Sequence, residues 1–177
     1  TPMQQEYRIS RKVTAVRKIA PKKDVQRVFV HENVTEIADR AFSGWTGLTE
    51  IVFAKGSSLK RIGAFAFAGT ALQRFIAPKS LKAIQEGAFT ACRSLKEVRL
   101  NEGLEDIGGD KGRVFTSSGI ETVYLPSTLQ KVSNALFLGC KDLRRVEVAE
   151  GCKVDINHCL PAGAIMVAVP VAAQAEE

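Results

Sequence analysis

The chain is predicted to wind into a solenoid of about 6–7 repeats of 22–25 residues, each repeat adding one turn to a shared core. Three observations predict it. An apolar-x-x-apolar-x-apolar segment recurs along the chain, an apolar pair three residues apart follows it, and a small-residue–Phe element follows the pair. These three registers stay in step for five turns, which chance does not produce. At 177 residues, with 45% hydrophobic and 25% charged side chains, the composition is that of an ordinary globular domain.

The first register comprises Val25-Gln-Arg-Val28-Phe-Val30, Leu48-Thr-Glu-Ile51-Val-Phe53, Leu72-Gln-Arg-Phe75-Ile-Ala77, Leu95-Lys-Glu-Val98-Arg-Leu100, Ile120-Glu-Thr-Val123-Tyr-Leu125 and Leu143-Arg-Arg-Val146-Glu-Val148. Starts are separated by 23, 24, 23, 25 and 23 residues, and a weaker copy begins at Ala164. Alternation of this kind suits a short strand with one buried face. The second register is Val34/Ile37, Leu59/Ile62, Leu81/Ile84, Leu104/Ile107 and Leu129/Val132. The third is Ala41-Phe42, Ala66-Phe67, Ala88-Phe89, Val114-Phe115 and Leu136-Phe137. No turn can bury its own Leu, Ile and Phe set, so stacking in parallel, about 4.8 Å per turn, is what gives each a core.

Leu81-Lys-Ala-Ile84-Gln-Glu-Gly87-Ala-Phe89-Thr-Ala-Cys92 and Ile120-Glu-Thr-Val123-Tyr-Leu125-Pro126 resemble the BspA-like (Treponema pallidum-type) leucine-rich repeat. The resemblance covers residues 25 to 170. It implies a right-handed leucine-rich-repeat solenoid with a parallel β-sheet on the concave face and short strands, turns or helical turns on the convex one. It also implies an interaction protein, commonly of bacterial or protist surfaces. An intracellular assembly subunit fits the residues equally well. The family shares no catalytic residues, so the resemblance transfers none.

The ends read differently. In residues 1–24, Ile9, Val13, Val16 and Ala20 fall at helical spacing and Pro21 would end a helix, so a basic capping helix is expected there. Residues 150–170, which lack the Ala-Phe element, are expected to form the C-terminal cap of a repeat domain spanning 25–170, and 171–177 a flexible tail. Gly108-Gly-Asp-Lys-Gly112 lengthens one turn and is expected to bulge outward. It lacks the Gly-Lys-Ser/Thr of a phosphate loop.

The net charge of +6 is local: residues 1–27 hold eight basic and two acidic residues, and the remainder is neutral. Arg8, Arg11, Lys12, Arg17, Lys18, Lys22 and Lys23 thus form a candidate basic arm for RNA, an anionic membrane or an acidic protein. Only Tyr7 accompanies them as an aromatic, which argues against base stacking. No apolar run is long enough to cross a membrane as a helix.

Nothing reads as an active site, a cofactor site or a metal centre. His31 and His158 are far apart and no nucleophile elbow is present. Cys152, His158 and Cys159 have ligand chemistry without a zinc-type spacing. Cys92 and Cys140 are two turns apart, about 10 Å at the stacking distance, beyond the roughly 7 Å a disulfide tolerates. Both are expected to be buried free thiols. Pairing of Cys152 with Cys159 stays open. Asn33-Val34-Thr35 is a glycosylation sequon of the frequency expected by composition.

The outward face of the sheet is the best functional surface. One column, Arg27, Glu50, Arg74, Glu97, Thr122 and Arg145, alternates in sign and reads as a stabilising ladder. The next, Phe29, Val52, Ile76, Arg99 and Tyr124, places apolar, Arg and aromatic side chains in consecutive turns, which marks a partner-binding site. Two functions follow: a non-catalytic protein-binding scaffold using that column, or a subunit anchored to an anionic partner through residues 8–27.

Overall fold

A ladder of backbone hydrogen bonds between successive turns organises the molecule. The computed structural model describes residues 5–109, 111–133 and 135–171. Eight strands form the main wall: β1 (Glu6–Arg8), β3 (Arg27–Val30), β5 (Glu50–Phe53), β7 (Arg74–Ile76), β9 (Glu97–Arg99), β11 (Thr122–Leu125), β13 (Arg145–Ala149) and β14 (Ile165–Val169). A second wall consists of two-residue strands: β2 (Ala15–Val16), β4 (Glu36–Ile37), β6 (Arg61–Ile62), β8 (Ala83–Ile84), β10 (Asp106–Ile107) and β12 (Lys131–Val132). Every pairing is parallel and in register, as Val123 opposite Val98 and Val146 illustrate. The second wall is one continuous six-stranded sheet, whereas the main wall is a three-stranded sheet (β1-β3-β5) followed by a five-stranded one (β7-β9-β11-β13-β14). Between β5 and β7, Gln73 N–H donates to Thr49 O at 3.2 Å.

Tight turns form the third wall, and they too are laddered: Phe42 N–H donates to Ala66 O and Phe67 N–H to Ala88 O, both at 2.8 Å. The residue two before the Phe is left-handed in four of the five turns, at Arg40, Phe65, Gly87 and Arg113. At Gly87 the position also faces the Phe65 ring, and a Cβ would lie 2.4 Å from that ring's Cε1. Here the chain requires glycine for space as well as for backbone freedom.

The core lies between the walls. Phe42, Phe67, Phe89, Phe115 and Phe137 form one internal file with ring centroids 5.4, 5.3, 5.7 and 5.9 Å apart and nearly parallel planes. Phe75 wedges between Phe67 and Phe89, and Trp45 and then Tyr7 continue the aromatic packing toward the N-terminal end. Three residues beyond four of the five Phe, a side chain with a polar tip reaches a backbone carbonyl: Trp45 Nε1 to Ile19 O, Cys92 Sγ to Phe67 O, Ser118 Oγ to Phe115 O and Cys140 Sγ to Phe115 O. Cys92 and Cys140 are buried free thiols whose main role is to fill and satisfy this column. Burial pushes both above the ordinary thiol range, which keeps them protonated and unreactive at neutral pH.

The first turn differs from the sequence reading. The N-terminal segment is a further turn, not a helix: Tyr7 pairs with Val28 and Val16 with Ile37. Its backbone groups bond to the next turn, with Ile9 N–H donating to Phe29 O and Thr35 N–H to Thr14 O. Burying Ile9 and Val16 in the common core outweighs the propensity of a short, isolated helix, which is marginal in water. At the other end, residues 150–170 cover the β13 turn, whose Val146 is fully buried, and bury Ile156 and Cys159 with it. Asn157–Cys159 makes one 3-10 turn that buries Cys159, and β14 then adds another rung with Ile165 57% and Met166 49% exposed. Of the expected tail, 171–177, all but Val171 lies outside the described residues. The glycine-rich insertion folds back and does not protrude as a whole: Gly112 N–H bonds Gly108 O at 2.8 Å, both glycines are buried, and Lys111 is exposed.

The aromatic file sets a stability test. Phe89→Ala removes a fully buried ring with neighbours on both sides and should cost about 3–5 kcal/mol in denaturant unfolding. Phe137→Ala, with one stacked neighbour, should cost less.

Candidate functional site: the outer face of the parallel sheet

Because strands are in register, every second residue of each strand stands in a column on the outer face. The first column begins one turn earlier than the sequence reading had it. Arg27 Nε lies 3.5 Å from Glu6 and 3.3 Å from Glu50, and Arg74 Nε lies 3.1 Å from Glu97. These pairs are substantially solvated, so each contributes well under about 1 kcal/mol. Their effect is to fix the rim of the face.

The second column contains the candidate binding residues. Phe29 and Val52 are Cα partners and both are half-buried; Ile76 and Arg99 are partners in the adjoining sheet. Ile76, 42% exposed, is the most open of the five. The Phe29 ring meets the His31 edge at 4.9 Å and carries the Arg8 guanidinium 5.1 Å above its centroid. Arg99 is held by Glu97, with Nε to Oε1 at 2.8 Å. Five side chains, Arg8, Phe29, Val52, Ile76 and Arg99, thus line up as a patch, apolar over three turns and cationic at each end.

Tyr124 does not belong to that patch. It stands in the same column, paired with Arg99, but is only 2% exposed. The chain leaving β9 brings Glu102 to it: Tyr124 O–H donates to Glu102 Oε1 at 2.9 Å, and the Ser127 N–H and hydroxyl donate to the same carboxylate at 3.1 and 2.7 Å. Burial, reinforced by this carboxylate, raises the phenol well above its usual range and keeps it neutral. Tyr124 is therefore a structural residue that closes the patch.

The basic residues do not form one arm. Arg8 joins the sheet face, Lys22 lies 5.7 Å above the Tyr7 ring, and Arg11 and Lys23 are exposed elsewhere on the first turn. Lys12, Arg17 and Lys18 rim an open groove of about 520 Å³ whose floor includes Ile9, Val13 and Val16. Sequence spacing missed the placement of Arg8, although its alternation with Tyr7 and Ile9 was the available signal.

Chemically active groups are scattered. Cys159 donates Sγ–H to Ile156 O, and burial pushes its thiol up to about 11. Cys152 is a free thiol and His158 is exposed. Among the described residues no three His, Cys, Asp or Glu side chains converge as metal ligands, and no helix is long and apolar enough to cross a membrane.

Comparison with known proteins agrees with this architecture. The BspA type leucine rich repeat region matches residues 21–152 in six copies. Among solved structures, the T. pallidum leucine rich repeat protein TpLRR is 26% identical with a TM-score of 0.67, over 82% of this chain and 70% of that one. A leucine-rich repeat protein from Eubacterium ventriosum is 21% identical with a TM-score of 0.65, over 73% of this chain and 33% of that one. The pneumococcal vaccine antigen PcpA is 17% identical with a TM-score of 0.54, over 96% of this chain and 62% of that one. The last two likenesses concern the fold alone, and this chain spans a third and three-fifths of those proteins. No curated protein matches significantly.

The burial of Tyr124 makes a direct prediction. Tyr124→Phe removes one hydrogen bond to a carboxylate that retains its Ser127 donors, and should cost about 1–2 kcal/mol in denaturant unfolding. Tyr124→Glu, which sets a second carboxylate against Glu102, should lower the melting temperature much further.

Proposed function

Since the chain belongs to the BspA-type leucine-rich repeat family, we propose that it is a non-catalytic interaction module that holds a protein partner on the outer face of its parallel sheet. One observation carries this reading. Phe29, Val52 and Ile76 present apolar surface from three consecutive turns, with Arg8 and Arg99 at the two ends. Scattered exposed apolar side chains are ordinary, but a contiguous row on a rigid scaffold has no core to justify it. Aromatic and Arg side chains are also the types that anchor interfaces most often. Parallel pairing holds Phe29 beside Val52 and Ile76 beside Arg99 at fixed spacing, so little ordering cost is left for binding within each pair.

A second reading rests on the groove at the first turn, where Lys12, Arg17 and Lys18 surround an apolar floor. An anionic partner bound there would lose affinity steeply with salt, whereas a partner on the apolar row would not.

The same experiment separates the two. In-cell crosslinking followed by mass spectrometry identifies the bound partner, whose affinity is then measured for variants and across a salt series. Ile76→Glu should weaken binding about tenfold or more while leaving the melting temperature unchanged. Unaltered affinity in Ile76→Glu, combined with a steep salt slope abolished by Lys12→Gln/Arg17→Gln, would replace the first reading by the second.

A further inference from the structure

The last strand of the main wall is built unlike the first. β1 is three residues long and sets charged Glu6 and Arg8 on its outer face, a protected edge of the kind that resists pairing. β14 is five residues long, Ile165-Met-Val-Ala-Val169, with no charge and no proline inside it. Among the described residues it is the terminal strand of its sheet. Ile165 N–H donates to Arg144 O, and Val169 O accepts from Glu150 N–H. Residues 165, 167 and 169 therefore turn their backbone groups toward β13, and Met166 and Ala168 turn theirs to the open side.

Side-chain files sharpen the point. Met166 and Ala168 continue the rows of Val146 and Val148, and the Val146 row is the interior one. Met166 is nevertheless 49% exposed, because nothing described stacks beyond it. Ile165 and Val167 continue the rows of Arg145 and Glu147 on the outer face.

From this geometry we infer that β14 pairs antiparallel with β14 of a second copy, across a two-fold axis at Val167. Met166 of each copy then lies opposite Ala168 of the other. Each such pair exchanges two backbone bonds, so every group on the open side finds a partner. Val167 faces its own copy at the non-hydrogen-bonded position, where opposed side chains come closest, and Ile165 faces Val169, giving β-branched pairs on the outer face. The two interior files abut, covering Met166, and two five-stranded sheets merge into one.

Charge decides the occupant. Stacking β14 on the β1 end of another copy would set Ile165 against Glu6 and Val167 against Arg8, with nothing on β14 to answer either charge. An acidic or basic partner strand meets the same objection. The identical strand brings no charge and reproduces the spacing of free donors and acceptors. The arrangement is isologous and closes at two copies.

Sedimentation equilibrium of the 177-residue chain tests this, alongside two variants whose folding is checked by their melting curves. The wild-type chain should show a reversible monomer–dimer equilibrium. Val167→Lys lies on the outer face beside Glu147, so the fold should tolerate it. It places two like charges across the axis and should raise the dimer dissociation constant about tenfold or more. Val167→Cys in a Cys152→Ser background should form a disulfide-linked dimer on mild oxidation, because only the antiparallel arrangement brings the two positions face to face. A wild-type monomer at every concentration, a dimer indifferent to Val167→Lys, open-ended polymer, or failure of Val167→Cys to crosslink would each overturn the assignment.

Discussion

The whole molecule depends on one constraint: a turn of this chain cannot bury its apolar residues except against the turns on either side. Val28, Ile37 and Phe42 in one turn belong to three different walls, and each becomes fully buried because a copy of itself stands about 4.8 Å away. Along all three walls backbone hydrogen bonds run between turns, beside local bonds that close the corners, so the same stacking that buries the Phe file also pairs the peptide groups of the walls. Packing and hydrogen bonding are thus satisfied by one repeated displacement, and stability accrues turn by turn.

How much of this was legible follows from what a repeat can encode. The Phe column, the paired Leu-x-x-Ile columns and the strand register were all readable, because identical neighbours force identical environments. The first turn was misread although its signal was present. Tyr7, Ile9, Val13 and Val16 repeat the spacing of Val28, Val30, Val34 and Ile37. Ile9, Val13 and Val16 also satisfy a helical period, since a strand followed by a corner and a second strand returns inward at similar intervals. Ala20, the fourth member of that helical set, is exposed, whereas Tyr7, which the helical count omitted, packs on the core and pairs with Val28.

The outer face was legible as columns but not as exposure. Column membership of Tyr124 is a property of strand register, and that was correct. Its burial depends on where the chain leaving β9 sets one carboxylate, and on Ser127 holding it there. Such a contact comes from irregular segments that differ between turns, and a periodic argument carries no information about it. Arg8 was missed for a different reason: it stands in register with Phe29 on the first strand, and the helical reading of that segment hid its column. The row that remains, Phe29 to Arg99, owes its order to the regular part of the fold and its boundaries to the irregular part.

The interruption between β5 and β7 bears on that row. Among the described residues one backbone bond, Gln73 to Thr49, joins the two sheets on this wall, while the six-stranded wall and the turn wall run through unbroken. Relative motion of the two blocks therefore costs least as a hinging about the two intact walls, opening or narrowing a cleft in the main wall. Val52 and Ile76 stand on opposite lips of that cleft, so the spacing at the centre of the apolar row is the one dimension of the surface that a bound chain could adjust without disturbing the core.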